Sequence, residues 1–197
     1  MTHLALSIGL LLAEPAMAEE PEDPIHEELR GIVAGASDAI NAQRWEEILP
    51  LLTDDFRGTL INQAVVSGPQ GVVDYHHLWF GPDGYMESLT IAVEPDALTE
   101  LSDDRTWGLA RGNAHEHYVA KNGDTFDFET RWTAVVVLDD DGEWKLRAIH
   151  FGTNHLDNPV LWKVRDTMIL YGAIGAVVLC FVVFWMGWFM GRHRKTT

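Results

Sequence analysis

The sequence predicts an α+β domain of three N-terminal helices on a curved antiparallel sheet, followed by one C-terminal transmembrane helix. Three observations predict it. Apolar residues recur at helical spacing through the first third of the chain. From Met86 to His155 the pattern changes to alternation, interrupted by Gly-containing turns. Then "MILYGAIGAVVLCFVVFWMGWFM" (168–190) runs for 23 residues without a charge. Helices first and a meander of strands afterwards is an α+β order, with the helices on one face of the sheet.

The elements follow in turn. "EEPEDP" (19–24) is an acidic leader with two prolines. From Ile25 to Gln43, Ile25, Leu29, Ile32, Val33, Ala36 and Ile40 form one apolar stripe, so a helix is predicted there. "RWEEILPLLTDDF" reads as a short second helix that buries Trp45, Ile48, Leu49 and Leu52, limited by Pro50, with a strand-like "RGTLI" after it. "SGPQGVVDYHHLWFG" is a third helix, starting near Ser67 or Gly68 and stopping at Gly81. "MESLTIAVE", "TWGLARGNAHEHYVAK", "TFDFETRWTAVVVLD" and "EWKLRAIHFGTNH" are four strands, the later ones joined by hairpins at "KNGD" and "DDDGE".

Segments outside the domain set its surroundings. The 168–190 stretch is long enough to cross a hydrocarbon core of roughly 30 Å at about 1.5 Å per residue. Trp162 and Lys163 on one side, and Trp185, Trp188 and "RHRK" at the other end, are interfacial anchors. At the other end a short apolar run closes on Ala16-Met17-Ala18, a signal-peptidase pattern, although Glu14 interrupts it and no Lys or Arg precedes it. The expected layout is a signal peptide (1–18), the acidic leader, a domain (25–155), a juxtamembrane stalk (156–167), the span, and a basic cytoplasmic tail (191–197). The domain then lies on the periplasmic side of the inner membrane. The alternative is a tail-anchored protein with a cytoplasmic domain.

Residues 19–167 hold 29 of the 30 acidic residues and 11 of the 14 basic ones, a formal charge of −18. Such a surface lacks the clustered Lys and Arg that track phosphate, which excludes nucleic acid as a partner. Cys180 is the single cysteine and lies in the span, so the domain has neither a disulfide nor thiol chemistry. No sequence feature calls for a cofactor.

Two stretches carry a resemblance. "AINAQRWEEILPLLTDDF" resembles the opening helix pair of the NTF2-like superfamily, and "ETRWTAVVVLDDDGEWKLRAIHFGT" resembles the closing strands of its SnoaL-like and kinase-association branches. The likeness covers roughly residues 25–155. It implies a cone-shaped fold with a pocket, and leaves activity open, because isomerases, dehydratases and pure assembly modules share that scaffold. Where the association-domain branch has a basic residue and a Ser after the closing His150, this chain has Phe151 and Gly152, which implies a less cationic mouth. The aspartate base and oxyanion hole of the ketosteroid isomerase branch are not placed on this sequence.

Alternation sorts the strand residues by face. His115 and His117 share one side with Arg111 and Asn113, opposite Glu116 and Tyr118; Glu129 and Arg131 share a side opposite Phe128 and Trp132. Glu129 and Arg131 are expected either to line the pocket or to form a structural ion pair, since two charges on one face need partners when desolvated. Asp74 with His76 is a candidate carboxylate-oriented general base. Trp79 and Phe151 join Glu129 and Arg131 as candidate ligand-binding residues. His115 and His117, completed by His150, are candidate metal ligands, or else part of a polar sheet face. The leading expectation is a membrane-anchored binding or assembly module with a small-molecule pocket, dimeric through the convex sheet face, taking a small apolar ligand or a membrane-protein partner. The alternatives are a SnoaL-like enzyme of isomerase, cyclase or dehydratase type using Asp74, His76, Glu129 and Arg131, and a His-based metal-binding protein.

Overall fold

The computed structural model describes residues 23–193, so the expected signal peptide and the end of the basic tail lie outside the described residues. Helix α1 (Pro24–Asn41) begins where Asp23 accepts a hydrogen bond from the Ile25 amide at 3.1 Å and Pro24 occupies the first turn. Its predicted stripe is the buried face, with Leu29, Ile32 and Ala39 turned inward. Its last residue is stitched to the sheet: Asn41 donates to the Ile91 carbonyl (3.0 Å) and accepts from the Ile91 amide (2.6 Å).

The second predicted helix is shorter than expected. Trp45–Leu51 forms a 3-10 turn containing Pro50, and the chain is already strand by Leu52. Pro50 has no amide hydrogen to continue a helix, and Leu52, Phe56 and Gly58 alternate inward along β1 (Leu52–Thr59). Two short elements follow, β2 (Val65–Ser67) and helix α2 (Gly68–Phe80), the latter close to its expected bounds. The remaining strands are β3 (Met86–Pro95), β4 (Glu100–Leu101), β5 (Trp107–Ala120), β6 (Thr125–Leu138) and β7 (Trp144–Thr153).

These strands form one curved, unclosed sheet in the order β2-β1-β7-β6-β5-β3, with β4 paired to β5. All pairings are antiparallel except β1 with β7. The helices and the 3-10 turn cover the concave face. Buried side chains line that face from both sides: Trp45, Ile48 and Phe56 against α2, and Ile91, Ala114, Trp132 and Ala134 on the central strands. Trp132 fits because its neighbour Gly112 has no side chain; a Cβ there would lie 2.7 Å from the indole and 2.2 Å from the Glu94 carbonyl.

Alternation along β7 changes phase. A bulge against Val135/Val136 turns Trp144 and Leu146 inward before it and Ile149, Phe151 and Thr153 inward after it, which leaves His150 on the outer face. Helix α3 (Pro159–His193) starts inside the expected stalk and is exposed over its apolar length. Among the described residues it is the one helix long and apolar enough to cross a membrane.

Candidate functional site

Between the concave sheet face and the helices lies a cavity of about 640 Å³. Its wall is mostly aliphatic and aromatic, from α1 (Val33, Ala36), α2 (Trp79, Phe80), the central strands (Phe128, Trp132) and β7 (Phe151). A few polar groups interrupt that wall: His76, Tyr75 and Asn62 on one side, Glu116 and Tyr118 on the other.

His76 is 7% exposed and sits in a cluster of aromatic rings. Trp45 stacks on it with ring centroids 4.1 Å apart at 14°, Phe80 stacks at 6.0 Å, and Tyr75 meets it edge-on. Its Nδ1 lies 2.7 Å from the Val72 carbonyl, which can only accept, so Nδ1 carries the proton and Nε2 keeps a lone pair. Burial lowers the imidazole pKa to about 4, with His77 adding to the effect and the Val72 bond opposing it, so the ring is neutral at physiological pH.

Glu116 is 4% exposed, in the middle of β5. Tyr118 donates to Oε2 at 2.5 Å, and the Thr130 hydroxyl lies 2.8 Å from Oε1 and 3.2 Å from the Ala114 carbonyl. The hydroxyls of Tyr118 and Thr130 thus engage both carboxyl oxygens. Burial pushes the Glu116 pKa up, against the pull of the Tyr118 and Thr130 bonds. Burial and the nearby Glu116 also raise both phenols, Tyr75 to about 12, eased by a hydrogen bond from Asn62, and Tyr118 well above the ordinary phenol range. The lining includes no Lys or Arg, its imidazole is neutral, and burial opposes charge on its carboxyl.

The expected site residues divide. His76, Trp79 and Phe151 line the cavity. Asp74 does not orient His76; it is exposed on α2 and accepts from Gln70 at 2.9 Å, so the expected carboxylate–imidazole pair does not form. Glu129 and Arg131 are on the outer, solvent-facing side of β6, where Arg131 binds Asp96 and donates to Asn113 (2.9 Å), and Glu129 binds His115 Nδ1 (2.7 Å). Their expected place in the pocket is thereby corrected: charged groups avoid a desolvated wall when the opposite strand face offers aromatic ones. Nor do they pair with each other.

His115 and His117 are outside too, His117 against Asp127 at 2.6 Å. His150 is outside on β7, opposite Thr133, four ladder positions from the β6 partner of His115. The three expected metal ligands are therefore not brought together, and among the described residues no cluster of three or more His, Cys, Asp or Glu is arranged to hold an ion.

The residues missed were Glu116, Tyr118, Tyr75 and Trp45. A signal for the first two was present. The Asn122-Gly123 hairpin sets Glu116 opposite Phe128 and Tyr118 opposite Phe126, and that aromatic face of β6 is the one a core would claim.

Over about two thirds of the chain the architecture matches solved structures. A dehydrochlorinase described as hexachlorocyclohexane dehydrochlorinase type 3, from Novosphingobium barchaimii, superposes with a TM-score of 0.57 at 12% identity, over 67% of this chain and 88% of that one. The chain has the NTF2-like fold. A protein described as a putative scytalone dehydratase, from Novosphingobium aromaticivorans, gives 0.57 at 12% identity over 66% and 85% of the two chains. A third, described as a putative calcium/calmodulin dependent protein kinase II association domain from Xanthomonas campestris, gives 0.54 at 17% over 73% and 93%. No family model and no curated protein matches the sequence. At these identities the NTF2-like likeness is one of fold, and both enzymes and an association domain share it.

Proposed function

We propose that this protein is a membrane-tethered NTF2-like module that binds a small, uncharged, largely apolar molecule in its cone, with the domain on the extracytoplasmic side. The observation that carries this reading is the cavity itself: an apolar wall, and inside it a small polar cluster with no Lys or Arg beside it. An anionic ligand would find no cation there, whereas one carbonyl or hydroxyl would meet Tyr75, Tyr118 or His76 Nε2. Helix α3 supplies the tether, and the acidity of the remaining surface keeps the domain soluble beside the membrane. The outer sheet face remains the candidate surface for a second copy or a membrane-protein partner.

Acid/base turnover is the second reading, favoured by one observation: the His76 imidazole, whose Nε2 keeps a lone pair, and the Glu116 carboxyl line the same hollow. The dehydratase and dehydrochlorinase descriptions of the fold neighbours are compatible with it. Against it, a base with a pKa near 4 and no carboxylate behind it is weak at neutral pH.

Naphthol and naphthalene sulfonate, one neutral and one charged version of the same ring system, test the proposal on the purified full chain in detergent. Naphthol is expected to raise the melting temperature of the domain and to quench the fluorescence of cavity tryptophans, and the sulfonate to do neither. Equal binding of the two contradicts the reading.

A further inference from the structure

The two ends of the cavity have different surroundings. Beyond one end, at β4, β5, β6 and the residue after β3, the outer surface carries ionic contacts, Glu100 with Arg111 and Asp96 with Arg131. At the other, the wall includes Tyr85, Met86, Phe126, Asn158 and Val160, the last of these already in the first turn of α3. This second end is held together tightly. Lys121 donates to the Gly81 and Pro82 carbonyls at 2.6 and 2.7 Å, its amide donates to the Tyr85 carbonyl, and Lys163 of α3 pairs with Asp124 and lies 5.5 Å over the Phe126 ring. The end of α2, the β5–β6 hairpin and the root of α3 therefore make one rim. Beside these paired charges the rim exposes apolar side chains: Tyr85 and Val160 are about half exposed (47% and 46%), and Leu78 and Leu156 more so.

Distance along α3 relates this rim to a bilayer. Val160 precedes Met168, where the charge-free stretch begins, by eight residues, roughly 12 Å of helix. The headgroup layer on each side of the hydrocarbon is about 5–8 Å deep, so on an upright helix Val160 stands roughly 4–7 Å beyond it, with Lys163 and Arg165 in the layer itself. An exposed apolar collar is costly in water, and at that height it faces the headgroup surface.

We infer that the cavity opens toward the membrane and takes its ligand from it: a lipid-soluble molecule with a single uncharged oxygen function enters between Tyr85 and Val160 rather than arriving through water. This rests on reading the hollow as a binding site and α3 as a span. The apolar collar conducts the molecule in, and the Glu116–Tyr118–Tyr75 group meets its oxygen.

The test uses the full chain reconstituted in phosphatidylcholine vesicles, with a trifluoromethyl-phenyl diazirine dissolved in the bilayer as the probe. Photolysis and peptide mapping are expected to find label in α3 and also in the peptides bearing His76 and Glu116. Placing a charge on the rim, by Tyr85→Arg or Val160→Arg, is expected to cut the cavity label at least about tenfold while leaving the α3 label unchanged, since a rim cation opposes passage of an apolar molecule. Both sites are exposed, so neither substitution burdens the core. Cavity label that persists undiminished in both variants overturns membrane entry but leaves the binding site standing. No cavity label in the parent protein, with α3 fully labelled, overturns entry; if naphthol also fails to bind in detergent, the binding site falls with it.

Discussion

Strand β6 presents two different environments a single residue apart. Trp132 faces inward, 4% exposed, its indole donating to the Asn113 carbonyl at 2.9 Å, while Arg131 faces outward and finds Asp96 and Asn113 in solvent. The same contrast runs along β5, where Glu116 is buried between His115 and His117, both engaged with exposed carboxylates. The lesson concerns charge rather than polarity. Both faces carry acidic residues, but burial favours the proton on the inner one, even against the hydroxyl groups that donate to it, whereas the outer ones meet cations and imidazoles in solvent.

Four substitutions or titrations sharpen this contrast. The largest effect is expected at Trp132→Ala, about 3–5 kcal/mol of lost stability in a denaturant titration, from removing a buried aromatic and leaving a cavity beside Gly112. Next is acid sensitivity. His76 has a folded pKa near 4 against an ordinary value of 6.5, so its contribution is intact above pH 6.5. As pH falls from there toward 4 the unfolded chain gains a proton that the folded one refuses, a loss of up to about 3 kcal/mol. Melting curves over that range are expected to fall steeply in the parent and to flatten in His76→Phe.

Glu116 acts with the opposite sign. Its folded pKa is raised, so its stabilisation is fully present below the unfolded carboxyl pKa and is lost as pH rises through the folded value. Glu116→Gln, which keeps the shape and a donor, is therefore expected to raise the melting temperature at pH 8 more than at pH 4. The smallest effect belongs to the outer face: Arg131→Ala is expected to leave the denaturation midpoint almost unchanged, because exposed ion pairs are screened. A larger loss at Arg131 than at Trp132 reverses the assignment of faces.

Much of this was legible in the residues. The α1 stripe, the four long strands and the charge-free C-terminal run all follow from periodicity, which burial enforces directly. The alternation on β6 also separated Glu129 and Arg131 correctly from Phe128 and Trp132. Periodicity does not say which face is inside, and the charged face was expected to be the pocket because charges are what chemistry needs. Desolvation decides otherwise. The phase of β7 was hidden because its bulge depends on pairing with β6, not on local composition. His76 was found, but its partner was expected to be Asp74 two residues away; on a helix that spacing points the two side chains apart, and the ring turns back to Val72 one turn earlier.

The central claim is that the hollow opposes charge, so that burial raises the Glu116 carboxyl above its ordinary range. An NMR titration of selectively isotope-labelled Glu116 in the full chain tests it most directly. The account predicts a carboxyl that titrates above the ordinary glutamate pKa of about 4.3. Ionisation at or below that value, with Trp132 still packed, would contradict it.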